Sequence, residues 1–284
     1  MPYAKDRTSH EKMKSTLRLC WRCVLLLAFV VVVLSLISQL QLITTRFKGP
    51  SFELDSHEKA EVEEYRAWFQ NCEHLLLDLG ANRGDTILRW LTEENYSGRS
   101  RISSIDTIYS LEHRKKFCIL SFEPNRMFES TLRATERRMR TEGFKVKVKI
   151  CTAVSDRFSE SVIYIDDIST HSYGTSLIPE KKVNFAGQLH SLGKEQAVKL
   201  VDLRSILSRV PESTELVVKM DIEGGEYDVL RSMIPSGLVC SINVLIIEYH
   251  DHKLRKGAVP AGINGVIEWI LGGERCGVQI IHDD

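Results

Sequence analysis

Three spacings of apolar residues run along the chain, and each predicts a kind of element. Between Arg22 and Arg46 there is no charged residue, and 24–34 is apolar throughout; at about 1.5 Å per residue the stretch reads as one helix across a hydrocarbon layer of about 30 Å. No small-residue cleavage signal follows it, which favours an anchor over a removed leader. Val62, Tyr65, Phe69 and Cys72 then recur at helical spacing behind a capping Asp55 or Ser56, predicting a lid or stalk helix. Beyond this point short apolar runs alternate with helical patterns. The runs at 75–79, 117–122, 146–153, 216–220, 244–247 and 278–281 read as strands. Helical positions lie between them at Ile87, Leu88 and Leu91, at Phe128, Leu132, Thr135 and Met139, at Tyr227, Leu230 and Ile234, and over 266–271. A short helix opens at Leu200-Val201-Asp202-Leu203 and stops before Pro211. The polar stretch 97–116 reads as an exposed insertion, 162–165 as a short extra strand, and 166–194 as a long connection containing His171.

Strands alternating with helices predict an α/β fold with a doubly wound, mostly parallel sheet, Rossmann-like, preceded by one transmembrane helix. The chain divides into a basic tail (1–22), the anchor (23–45), a stalk with its helix (46–73) and a catalytic domain (74–284). No internal repeat is present.

Charge adds direction to this picture. The 284 residues carry no net charge, with 38 basic and 38 acidic side chains. Before residue 46 the basic residues exceed the acidic ones by four, so the remainder is mildly acidic. Without Lys/Arg-rich runs, that remainder is a poor match for a nucleic acid polyanion. The positive-inside bias puts the tail in the cytoplasm and the rest in a lumen or outside, as a single-pass type II protein of the endomembrane system. There Cys72, Cys118, Cys151, Cys240 and Cys276 form an odd set, so at least one is left without an intrachain disulfide. Their spacing fits no zinc pattern. Asn95-Tyr96-Ser97 becomes a glycosylation acceptor in that topology.

The candidate chemistry begins where the first strand ends. Asp78-Leu79-Gly80-Ala81-Asn82-Arg83-Gly84-Asp85-Thr86 is a strand, tight loop and helix start, with two glycines that admit a ligand close to the backbone. Asn82 replaces the middle glycine of the dinucleotide pattern, which favours S-adenosyl-L-methionine over NAD, and an acid suits a bound sulfonium. Glu123 closes the second strand, where it can accept both ribose hydroxyl protons, with Asn125 beside it. Asp156 ends the third strand. Asp221, Glu223 and Glu226 follow the fourth, and Glu248 and His250 follow the fifth. Asp221, Glu223, Glu248 and His250 are the candidate catalytic residues, since removing a hydroxyl proton needs a base aligned with the acceptor. Hard cations also choose such carboxylates, but no ligand geometry is readable and no metal is assigned.

These motifs resemble the FkbM-type methyltransferases. The resemblance rests on 78–86, Ser121-Phe122-Glu123-Pro124-Asn125, Ala153-Val154-Ser155-Asp156, Val201-Asp202-Leu203, 219–226 and Ile247-Glu248-Tyr249-His250, in order and in approximate spacing. It implies an S-adenosylmethionine-dependent class I fold that methylates oxygen, often on sugars or natural products. By position it assigns Asp78, Gly80, Asn82, Gly84, Thr86, Glu123 and Asn125 to the cofactor, and Asp156 to the adenine. Asp221, Glu223, Glu226, Glu248 and His250 would line the reaction centre. The stretch 97–116 is longer than the family pattern, and the chain after Glu248 has room for one strand where class I folds close with two. With the topology above, the expected activity is a lumenal O-methyltransferase acting on a glycan or another hydroxylated acceptor. The rivals are a binding or scaffold protein that keeps the fold without catalysis, and a nicotinamide-dependent oxidoreductase.

Overall fold

A computed structural model describes residues 55–92, 108–168, 172, 174–179, 182–185, 187–251, 260–273 and 276–283. In chain order these form α1 (Ser56–Phe69), β1 (His74–Leu79), α2 (Asp85–Leu91), α3 (Leu111–Arg114), β2 (Cys118–Glu123), α4 (Glu129–Thr141), β3 (Val146–Ile150), β4 (Thr152–Ser155), β5 (Ser159–Ile165), β6 (Lys182–Phe185), β7 (Gln188–Ser191), β8 (Lys194–Asp202), α5 (Leu203–Leu207), β9 (Glu215–Met220), α6 (Glu226–Ser236), β10 (Val244–Ile247), α7 (Ile263–Gly272) and β11 (Gln279–His282).

The apolar runs lose their alternation because they are covered on both faces. Six of them form a wholly parallel sheet in the order β11-β10-β9-β1-β2-β3. Successive side chains of β1 enter different cores, as a pleated strand requires. Leu75, Leu77 and Leu79 pack with Tyr65 and Phe69 of α1, Leu230 of α6 and Leu271 of α7. Leu76 packs on the other side with Ile87 of α2 and Leu132 and Met139 of α4. The helix read as a stalk therefore contributes fully buried Tyr65 and Phe69 to one core, and its start is closed by a reciprocal Asp55–Glu58 capping box. In the sheet, strand order reverses between β1 and β9, the place where connections leaving neighbouring strands run to opposite faces and such folds take their ligands.

Several expectations are corrected. The run 146–153 is two strands, because Cys151 takes a left-handed conformation at φ 55° and ends β3 in the main sheet. The chain resumes as β4 in a second sheet, β4-β8-β5, in which β4 is parallel to β8 and β5 antiparallel to it. Residues 200–202 end β8 rather than opening a helix, and Asp202 caps α5 by accepting from the Arg204 N–H. The long connection contains the β6–β7 hairpin. The described end of the 97–116 insertion is not an exposed loop, since it holds α3 and a buried Tyr109. The last strand, β11, joins β10 in parallel at the sheet edge.

The transmembrane helix and the type II placement built on it are also corrected. Among the described residues no helix is long and apolar enough to cross a membrane, and 1–54 lies outside them, as do Asn95-Tyr96-Ser97 and His171. The membrane and lumenal assignments are not retained. Cys72 pairs with Cys118 and Cys240 with Cys276, leaving Cys151 as a free thiol.

Candidate active site

The loop after β1 hangs on the end of β2. The Gly80 and Ala81 N–H groups donate to Phe122 O at 3.0 Å each, and the Asn82 N–H donates to Glu123 Oε2 at 2.6 Å. Gly80 has φ +90°, and a Cβ there would stand 2.0 Å from the Asp221 carbonyl oxygen. Only glycine fits between these two backbones. Gly84, at φ +89°, would set a Cβ 3.1 Å from Leu132 as α2 begins. Asn82 is left-handed at φ 49°, a conformation its short polar side chain tolerates.

Asp78 is fully buried and accepts the Ser121 hydroxyl at 3.0 Å. Burial raises its carboxyl above the usual range, against the pull of Lys219 and of the Ser121 and Thr86 hydroxyls. Three acceptors around this loop, Asp78 Oδ1, Asn82 Oδ1 and Asp85 Oδ1, are buried with no hydrogen-bond partner among the described residues. Such atoms suit a ligand that brings donors. Glu123 accepts two backbone N–H groups, from Asn82 and, at 2.7 Å, from Asn125. Burial nevertheless pushes its pKa up to about 8. Asn125 spends its side-chain oxygen on the Met127 N–H, at 3.0 Å, as a helix cap. Asp156 directly follows β4 of the second sheet, and its Oδ1 meets the Ser155 hydroxyl at 3.1 Å and Arg157 at 3.0 Å.

The other predicted residues converge on His250. Its Nδ1 is 3.0 Å from Glu226 Oε1. Its Nε2 faces three further carboxylates, with Glu248 Oε1 at 3.3 Å, Glu223 Oε2 at 3.5 Å and Asp221 Oδ1 at 3.7 Å. Exposure separates their roles. The His250 side chain has none, whereas Asp221, Glu248 and Glu223 retain 26%, 22% and 14%. The three carboxylates can meet an acceptor, and the imidazole, with no exposure of its own, reaches one only through them. Burial works against its charge, but hydrogen bonds to Glu226 and Glu248 and the nearby Asp221 carry its pKa above the ordinary value. Atoms of Asp221, Glu223 and His250 lie within 4.8 Å of one another and are able to hold a hard cation.

One residue at the centre of this arrangement, Lys219, escaped sequence reasoning as a contributor, and another, Glu226, does more than line the site. Lys219 is buried in β9, with Nζ 3.1 Å from Asp221 Oδ2. Burial opposes its charge, but Asp221, Asp78 and Asp283 hold its pKa above normal. The signal was a lysine inside an apolar strand, which needs acids nearby. Glu226 is fully buried and accepts the Ile222 and Gly224 N–H groups at 3.0 and 2.9 Å, so it shapes the turn besides holding His250. That turn keeps Glu223 left-handed at φ 58°, and Ser176 from the long connection donates to Glu223 O at 2.6 Å.

No curated protein matches the chain. The crystal structure of Methyltransferase FkbM from Methylobacillus flagellatus KT is similar over 59% of this chain and 30% of that one, at 16% identity and a TM-score of 0.32. The family profile described as the Methyltransferase FkbM domain matches residues 78–280, from the acid at the end of β1 to the final strand. The chain belongs to the FkbM methyltransferase family.

Proposed function

We propose that this chain transfers a methyl group from S-adenosyl-L-methionine to a hydroxyl oxygen of an acceptor, at the crevice between β1 and β9. The observation that carries the reading is the junction of loop and acids: Gly80 lies against the Asp221 backbone, so a cofactor on the glycine loop and an acceptor on Asp221, Glu223 and Glu248 would share one space. The residues present suit this cofactor. Its ammonium and ribose hydroxyls are donors, and Asp78, Asn82 and Asp85 each present a buried acceptor atom without a partner among the described residues. Glu123 keeps lone pairs beyond the two N–H groups it accepts. When bound, the cofactor supplies an electrophilic methyl group.

The chain supplies alignment and a proton acceptor. One of Asp221, Glu223 and Glu248 takes the acceptor hydroxyl's proton. His250 is a positioning residue: Glu226 orients its ring, and the ring gathers the three carboxylates on its far side. Lys219 pairs with Asp221 and holds its carboxylate in place. A second reading, in which Asp221, Glu223 and His250 would hold a divalent cation that would supply Lewis-acid assistance, is favoured by the closeness of those three donors.

Calorimetry of the full chain with S-adenosylmethionine, S-adenosylhomocysteine and NAD tests the cofactor. Adenosyl ligands should bind and NAD should not. Binding of NAD alone would make the protein an oxidoreductase, and binding of none by a folded chain would leave a scaffold. With a panel of hydroxylated acceptors, Asp221→Asn, Glu223→Gln or Glu248→Gln should lower turnover about a hundredfold or more for the true base. Unchanged turnover in all three would sink the assignment, and loss of turnover on chelation would select the metal-assisted version.

A further inference from the structure

Three metal-ligating side chains meet at the opposite edge of the sheet, at the N-terminal ends of the same two strands. His74 opens β1 and Glu215 opens β9, and the two are register partners across the ladder. His113 of α3 completes the group. His74 Nδ1 lies 2.6 Å and His113 Nε2 3.0 Å from one oxygen, Glu215 Oε2. The second oxygen, Oε1, accepts the Tyr109 hydroxyl at 2.8 Å, which fixes the carboxylate so that Oε2 faces both imidazoles. The two rings are 4.8 Å apart at 70°, and Tyr109 stacks on His113 at 5.2 Å.

We infer that His74, His113 and Glu215 form a zinc-type site for a divalent transition metal, remote from the candidate active site and clamping α3 to the base of the sheet. Two imidazoles and a carboxylate are a donor set that zinc accepts, with bonds of about 2.0–2.2 Å and neighbouring ligands about 3.3 Å apart in a tetrahedron. One donor atom from each of the three residues already lies within 4.8 Å of the others, so the two contacts to Oε2 need open by less than an ångström. Side-chain exposures of 20% for His74, 33% for His113 and 29% for Glu215 leave a path for the ion and for a water as fourth ligand. Tyr109 takes the outer place that orients a ligating carboxylate. To bind metal, His74 Nδ1 and His113 Nε2 must present lone pairs, so the proton on each moves to the other ring nitrogen or to solvent. Acid therefore weakens the site.

The test is titration of the chelator-treated full chain with Zn²⁺, followed by calorimetry and thermal melting, with Co²⁺ absorption as a second readout. The wild type should take up zinc here, melt higher with it, and show a visible Co²⁺ spectrum. His113→Ala, at a partly exposed position, should remain folded by circular dichroism and lower the zinc stoichiometry by one. Glu215→Gln should weaken that same binding event at least tenfold. Asp221→Asn, at the far end of the strands, should leave it unchanged. Absence of uptake by the wild type at 100-fold molar excess of zinc, or the same stoichiometry in folded His113→Ala, would overturn the inference. So would loss of the site in Asp221→Asn alone.

Discussion

β1 and β9 run side by side from His74↔Glu215 to Leu79↔Met220, and their two ends hold unlike histidine–carboxylate clusters. At the C-terminal end one fully buried imidazole serves four carboxylates. At the N-terminal end two partly exposed imidazoles serve one carboxylate. The first ratio leaves excess negative charge facing a glycine loop, where the proposed cationic cofactor and hydroxyl acceptor would gain from it. The second balances donors and acceptors and leaves little for a substrate. The same residue types thus do different work according to their ratio and their burial.

Five substitutions would break or sharpen this contrast. The largest effect is expected for Gly80→Ala, which forces a Cβ onto the Asp221 carbonyl at 2.0 Å and keeps φ at +90°. Strain and overpacking together should cost about 3 kcal/mol in denaturant unfolding and abolish ligand binding at the acidic end. A variant within about 0.5 kcal/mol of wild type would show that the two backbones do not meet this closely. Next comes the pair Glu226→Ala and Glu215→Ala. The buried Glu226 leaves two N–H groups and His250 without its oxygens, a loss of about 3 kcal/mol. The partly exposed Glu215, screened by water, should cost about 1 kcal/mol or less in the metal-free protein. Equal losses would erase the distinction between the ends.

The smallest effect is in pH dependence, where the signs oppose. The folded-state pKa of His250 is raised, so its contribution is fully present below the unfolded value of about 6.5 and is lost as pH rises through the folded value. For Glu215, burial works against the charge, but Tyr109, His113 and His74 lower its pKa. Its contribution is present above the unfolded carboxylate value and is lost as pH falls through the lowered one. The stability gap between wild type and His250→Gln should therefore narrow from pH 6 to 9, while that for Glu215→Gln should narrow from pH 5 to 3. Melting temperatures across both ranges check this, and slopes of the same sign would refute it.

The C-terminal cluster was legible because it is made of residues that follow strands directly. Apolar runs buried on both faces mark the strands, and the acids after them must share one edge. Glycine at positions 80 and 84 gave the loop the same clarity. The N-terminal cluster was not legible. His74, His113 and Glu215 come from three distant parts of the chain, and only the β1–β9 register and the folding of α3 bring them together. Cys151 carried no signal either, since cysteine is not a residue that announces a left-handed turn, and the strand pattern runs across it unbroken. Asn125 shows the limit in another form: a cap and a ligand contact ask for the same side chain at the same strand end.

The excursion that starts at Cys151 returns close to where it left, for its first strand, β4, and its last, β8, are hydrogen-bonded neighbours. A segment whose ends are tied to each other passes little of its own length to the surrounding fold, and each doubling of a flexible loop costs only about 0.6 kcal/mol. The stretch from 156 to 193 is in that sense an exchangeable cassette. Through Ser176 it also reaches the turn that carries Glu223. If the chain acts as proposed, this cassette is where an exchange would alter the choice of acceptor while the six-stranded sheet and its glycine loop stay as they are.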